Sequence, residues 1–547
     1  MSENLNPNEN EQKEETLDEL IRRAESGDAE AQGLLGRRYS KGDGVEKDFA
    51  KAVEWLRKGA EQGNALAQNG LGVCYSEGEG VEKDFDKALE LYRKAAEQGF
   101  PSALANLGQC YMNGEGVEKD PVQAVEWLRK AAEQGYAPAQ CNLGVCYING
   151  EGVEKDPVQG VEWIRKAAEQ GFAPAQGNLG TCYALGKGVE FDFTKAAEWT
   201  RKAAEQGNPE AQCDMGRSYR LGEGVERDPV QAVEWYRKSA EQGCARGQIN
   251  LGWRYFEGEG VERDLAKALE WFQKAADQGN SIAQCALGGC YMRGDGVASD
   301  PVKAVEWIRK AAEQGLDGAQ YDLGVSYLLG KGVERDPVKA MKWVQKAAEQ
   351  GFPPAQCEMG IGYLLGRGVE RDPVKAVEWL QEAAWGVDSD ARYILGMCYK
   401  KGLGVEVDYT QAAEWIRKAA RRGVAPAQCE MGKFYATGKG VEKDLAQAVE
   451  WFRKAVEQDE PEAQFLLGRC YMLGEGVPQN TAKALKLLEK SAEQGFPTAK
   501  EGLEVYHRSV SENVLDKAAK WYQSSIEQEG MDFSEMISRY LKGDKGK

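Results

Sequence analysis

The chain has 547 residues, 70 of them Lys or Arg and 88 Asp or Glu, for a net charge of −18, and 42% are apolar. That acidity argues against general nucleic-acid or anionic-membrane binding, which needs clustered cations, and no apolar run approaches the roughly 18 to 20 residues of a bilayer span. A single histidine, His507, excludes paired imidazole ligands and allows at most one histidine-based triad.

In chain order, residues 1–16 are acidic, show no hydrophobic periodicity and are expected to be disordered. They have neither a basic start nor an apolar stretch, so no secretory signal is expected and the predicted location is cytoplasmic. The 13 Cys are an odd number without any Cys-x-x-Cys, as suits reduced thiols in that compartment. Residues 17–28 read as an N-terminal capping helix. Glu19 and Arg23 stand there at positions that are apolar further on, as an outer face requires.

From Ala29 to Phe496 the chain repeats every 36 residues with no insertion. Gly36 begins a series that runs through Gly72 and Gly144 to Gly468, and a Tyr follows each Gly by three residues. Residues 137–172 show the logic. Ala139, Leu143, Gly144 and Tyr147 share one helical face. Gly150 ends that helix, and Gly152 and Val153 make the turn. Asp156 before Pro157 reads as an N-cap followed by Pro at the first helical position. The second helix turns Val161, Trp163, Ile164, Ala167 and Ala168 inward, and Gly171 stops it. One such pair cannot bury its own apolar face, so the units must stack. The predicted fold is all-α: a right-handed α-solenoid of about thirteen 36-residue helix-turn-helix repeats with degenerate capping units.

The run Ala-x-Ala-Gln-x-x-Leu-Gly-x-x-Tyr-x-x-Gly-x-Gly-Val-x-x-Asp-x-x-x-Ala-x-x-Trp-x-x-Lys-Ala-Ala-x-Gln-Gly resembles the Sel-1-like repeats, cousins of the tetratricopeptide repeats. The resemblance spans 29–496. It weakens where Leu91 and Leu487 replace the Trp, and at Trp385–Gly386–Val387, which replaces Glu-Gln-Gly. Some secreted relatives pair two Cys within each repeat; that spacing is absent here, so their disulfides do not carry over. The resemblance implies a scaffold or adaptor role in assembling protein complexes. Residues 497–530 read as a degenerate repeat in which Glu504 and His507 replace the Gly and Tyr. Residues 531–547 read as a final capping helix and tail.

Chemistry is sparse. No phosphate-binding Gly-rich loop with a following Lys-Ser/Thr occurs, and the Gly-x-Gly-Val turns lack the strand and third Gly of a dinucleotide site. Glu126 and Glu133 read as solvated helix-face residues pairing with Arg129 and Lys130. One set of Cys precedes the Tyr (Cys74, Cys110, Cys146, Cys182, Cys290, Cys398, Cys470) and reads as small apolar filler. A second set (Cys141, Cys213, Cys285, Cys357, Cys429) recurs every 72 residues. No metal or cofactor is expected.

A partner would sit where the repeats differ. Opposite the buried face of the first helix lie the positions of Cys141, Asn142, Val145 and Asn149, flanked by Cys146 and Ile148. By family analogy they line a concave groove. Repeats six to eight place Arg217, Arg220, Trp253, Arg254, Phe256, Met292 and Arg293 there, a basic-aromatic cluster in an acidic chain. Trp and Arg are frequent binding hot spots, and Arg would pair with an acidic segment while Trp253 stacks. Leu328, Leu329, Leu364 and Leu365 read as inter-repeat packing. The predicted function is a monomeric, non-enzymatic scaffold for a protein or peptide partner. Two alternatives stand beside it: a Cys-dependent hydrolase of β-lactamase type, as claimed for Cys-rich relatives, with His507 as the one available base near Cys470; and a spacer array with no ligand.

Overall fold

The computed structural model describes residues 16–386 and 388–508. All regular structure among them is helical. A first helix, Leu17–Glu25, is followed by thirteen helix pairs on the 36-residue register and by a last helix, Pro497–Arg508. That last helix opens the segment 497–530 expected as a degenerate repeat; the remainder of the segment, the final helix expected over 531–547 and residues 1–15 fall outside the described residues. The N-terminal helix is closed by a capping box between Thr16 and Glu19, and Arg23 pairs with Asp28 at 2.7 Å.

Repeat four (residues 137–172) shows how the local sequence forms each pair. Its first helix, Ala137–Asn149, stops where Gly150 adopts φ 76° and its N–H donates to the Cys146 carbonyl at 2.8 Å. Gly152 is also left-handed, at φ 70°. Its hydrogen faces the Pro121 carbonyl of repeat three, where any Cβ would collide. Two separate demands, backbone sign and space, thus select glycine. Asp156 accepts from the Val158 and Gln159 amides at 3.1 and 3.0 Å, and its own N–H donates to the Tyr147 carbonyl at 2.9 Å. The second helix then runs Pro157–Glu169, as the N-cap and Pro order requires.

The core lies between the paired helices and between neighbours. Leu143, Ile164, Ala139 and Ala167 are all 0% exposed. Burying a Leu or Ile fully contributes roughly 1.5–3 kcal/mol. Gly144 makes the close approach possible: a Cβ there would stand 2.5 Å from the Gly160 carbonyl and 2.6 Å from Ile164 Cγ1.

The chain divides into two compact units, one ending at Ala275 and the other beginning at Ala276. Within the first, the first helices of repeats one and two, three and four, four and five, and six and seven pack against one another. Second helices make no comparable approach. The first helices therefore form the inner side of this unit, and residues that vary on their outward-turned faces line it.

Candidate partner-binding surface

In repeats six and seven the first helices are Pro209–Leu221 and Ala245–Glu257. Arg217 is exposed, with its guanidinium 3.5 Å from Glu223. Arg220, Trp253 and Phe256 are half-buried. The Trp253 ring meets Phe256 edge-on at 5.4 Å and Phe272 of the same repeat's second helix at 5.1 Å. Trp253 is therefore part core and part surface.

Arg254 departs from expectation. It was expected on the open face, but its side chain is only 6% exposed. It takes the position that Cys146 and Cys290 occupy in other repeats, and it is neutralised by Glu257 at 2.8 Å and by Glu259. It is a structural ion-pair member rather than an accessible anchor. Met292 and Arg293 belong to the second unit, on the helix Ser281–Arg293. Met292 packs partly into the core, and Arg293 is exposed and bound to Asp295 at 2.6 Å. Four of the seven predicted residues thus share one accessible patch in the first unit: Arg217, Arg220, Trp253 and Phe256.

The electrostatics of this patch are uneven. Arg246 spans the two helices, pairing with Glu210 at 2.7 Å and Asp214 at 2.6 Å. Arg227 reaches Glu259 at 2.7 Å. Among the described residues Arg220 has no carboxylate partner; it lies against Tyr236, whose hydroxyl is pushed up to about 12 by burial. Among the described residues, seven buried side-chain polar atoms lack a hydrogen-bond partner, and four are here: Arg220 Nε, Glu223 Oε2, Tyr236 Oη and Arg254 Nε. Buried polar groups are ordinarily satisfied, and three of these four residues keep a charged neighbour: Glu223 Oε2 lies 3.5 Å from the Arg217 guanidinium, Tyr236 faces Arg220, and Arg254 is held by Glu257.

The cysteines offer no such site. All thirteen are free, and all but Cys285 are buried. Burial pushes Cys146 and Cys470 up to about 11 and Cys213 and Cys285 to about 12. A nucleophilic thiol needs exposure and a lowered pKa, the opposite on both counts. The His507 side chain lies outside the described residues. The expected open position of Cys141 is also corrected: it is 3% exposed and accepts from the Asn178 amide at 3.3 Å. Among the described residues no three His, Cys, Asp or Glu side chains form a metal-binding group, and no helix is long and apolar enough to cross a membrane.

The Sel1 repeat family model matches fourteen segments, twelve of them between residues 29 and 460 and the last two at 461–496 and 505–529. The chain belongs to the Sel1 repeat family. This Sel1 repeat protein is 38% identical to c5321, a protective antigen of uropathogenic Escherichia coli strains with an SLR fold. That match covers 88% of this chain and 98% of the other, with a TM-score of 0.57. It is 36% identical to a Sel1 repeat protein from Oxalobacter formigenes, over 56% of this chain and 89% of that one, with a TM-score of 0.44. None of the curated proteins matches it. The family match pauses between Ala384 and Ser389.

Several contacts in the Sel1 repeat protein escaped sequence reasoning. The motif Gln is structural: Gln140 donates to the Ala132 carbonyl of repeat three and accepts from Gln170. Lys130, expected to pair with Glu126, instead lies 4.1 Å over the Trp127 ring. Arg129 donates to the Tyr147 hydroxyl of the next repeat at 3.0 Å. The second helices' charged face therefore stitches repeats together. In the second unit a network centred on the buried Glu430 links half-buried Lys400, Lys433 and Glu462 across three successive first helices. Its signal was a charge at a position that is Asn in repeats three to five. Of the leucines, Leu328 and Leu364 are buried, Leu365 packs on the core, and Leu329 is 63% exposed.

Proposed function

We propose that this Sel1 repeat chain is a non-enzymatic scaffold that holds a segment of a partner protein on the first-helix face of repeats six and seven. The carrying observation is the exposed Arg217 on one first helix and the half-buried, edge-on Trp253–Phe256 pair on the next. Arg220 and Arg217 would take a carboxylate, and Trp253 and Phe256 would give the apolar anchor, the usual pairing of a binding hot spot. The helical-repeat architecture supports this reading because its function resides in varied surface positions on a constant frame. Thirteen free thiols favour a reducing compartment, and the cytoplasm is the proposed location.

The test is affinity capture from host lysate with the wild-type chain and an Arg217→Ala/Arg220→Ala/Trp253→Ala variant of unchanged circular dichroism. Arg254 is left intact because its loss would strand Glu259. A partner kept by the first and lost by the second supports the reading. Equal recovery removes the site from these repeats, and no partner with either bait refutes the scaffold role.

A further inference from the structure

A second surface stands out at the far end of the second helices. One position there is acidic in eleven of the thirteen repeats, and the residue after it is Gln in eleven. In the second unit the acidic residues are Asp277, Glu313, Glu349, Glu457 and Glu493, all exposed. The two exceptions are consecutive. Repeat ten has Trp385, and repeat eleven has Arg421 followed by Arg422.

Trp385 is 76% exposed, more than any other large apolar side chain described. It is not a loose ring. It stands edge-on against Trp415, centroids 6.0 Å apart, and Trp415 is 8% exposed with the Lys418 amine 3.8 Å over it. The surrounding polar contacts are rebuilt to suit. Glu382, where other repeats have Lys, accepts from the Gln356 amide at 3.0 Å. Arg392, where most repeats have Gln, donates through Nε to the Ala384 carbonyl at 3.0 Å. Arg421 and Arg422 are exposed, and among the described residues neither takes part in an ion pair. A buttressed, open indole and, at the equivalent position one repeat on, two cations outside any described ion pair interrupt an acidic row.

We propose that Trp385, Arg421 and Arg422 form a docking surface for a short acidic, proline-containing segment of a partner protein. Charge complementarity selects the occupant. Glu349 and Glu457 flank the patch and repel acid, so an acidic chain is accepted over two repeats only. At about 10 Å per stacked helix layer that is roughly 20 Å, or about six extended residues. Guanidinium groups take the carboxylates, and a proline ring lies flat on an exposed indole as in other aromatic-lined grooves. This surface is independent of the one in repeats six and seven.

The experiment is fluorescence anisotropy at low salt with the full chain and a fluorescein-labelled Glu-Pro-Glu-Glu-Pro-Glu peptide. The Lys-for-Glu version serves as control. Wild type should bind the acidic peptide only. Trp385→Ala and Arg421→Gln/Arg422→Gln should each weaken binding at least tenfold with unchanged thermal melting. The Arg217→Ala/Arg220→Ala/Trp253→Ala variant should bind as wild type does. A flat wild-type titration, equal binding by the Trp385 or Arg421/Arg422 variants, or loss in the repeat-six variant overturns the proposal. So does a wild-type dimer in sedimentation velocity that Trp385→Ala abolishes, since the occupant is then a second copy.

Discussion

Gln170 Nε2 lies 2.7 Å from Gln140 Oε1, thirty residues earlier, while Gln140 Nε2 lies 3.0 Å from the Ala132 carbonyl. One buried amide therefore ties three consecutive helices. The same arrangement recurs at Gln68, Gln176, Gln212, Gln284, Gln320 and Gln428. Repeat three lacks it because Leu104 occupies the position.

Gln140→Ala should cost about 1–3 kcal/mol, since it strands a buried carbonyl and an amide. Leu104→Gln should add about 1 kcal/mol by restoring the bond to Gln134. Hydrogen exchange of the amides in repeats three and four reads both changes locally, where a global melt would dilute them.

Gly144→Val should destabilise repeat four by about 1–3 kcal/mol, because its side chain would overlap Ile164 and the Gly160 carbonyl. Gly177→Ala is the contrasting case. The nearest atom to its new Cβ is 3.9 Å away, so the substitution should add about 0.5–1 kcal/mol through helix propensity alone. Denaturant unfolding of the two variants should move in opposite directions.

Glu430 is 5% exposed and holds Lys400 at 2.6 Å and Lys433 at 2.8 Å. Burial alone would raise its pKa, but Lys400 and Lys433 outweigh burial and hold it below the ordinary 4.5. A lowered carboxyl pKa contributes stability above 4.5 that is lost as pH falls below it. Glu430→Gln should cost about 3 kcal/mol at pH 7, by leaving Lys400 without its carboxylate and Lys433 with Glu462 alone. It should also flatten the loss of stability below pH 4.5, as measured by urea unfolding at a series of pH values.

The buried thiols should react with a thiol-specific chromogen on the order of a hundredfold more slowly in the folded chain than in guanidinium, because reaction needs local opening. Their raised pKa values, about 11 for Cys74, Cys110 and Cys182, set the alkaline limb. The folded state holds protons that the unfolded state releases from about pH 9, so stability should fall between pH 9 and 11. A single fast-reacting thiol at pH 7 would reopen the hydrolase reading.

The helices and their register were legible because their punctuation is local. Gly150 closes a helix by its own φ, and Asp156–Pro157 opens the next within two residues. The role of Gln140 was not legible, since its partner Gln170 meets it only after a third helix folds back. Arg254 was misread as accessible although Cys146 and Cys290 mark the same position as buried; a helical-wheel border does not say which side a long side chain takes. Trp385 was visible as a departure from the motif, but its exposure depends on Trp415 and the helix end beneath it.

Every seam in repeat four reaches one repeat and no further: Gln140 to Ala132, Arg129 to Tyr147, Gly152 to Pro121. Excising residues 137–172 would join Tyr136 to Ala173 and bring Gln176 to Ala132, Tyr183 to Arg129 and Gly188 to Pro121, each on chemistry already present. The molecule is therefore modular in length. Recombination between its own near-identical segments would shorten or lengthen it in steps of 36 residues without opening a wound in the core, so evolution is free to reposition the two proposed partner surfaces by insertion rather than by redesign.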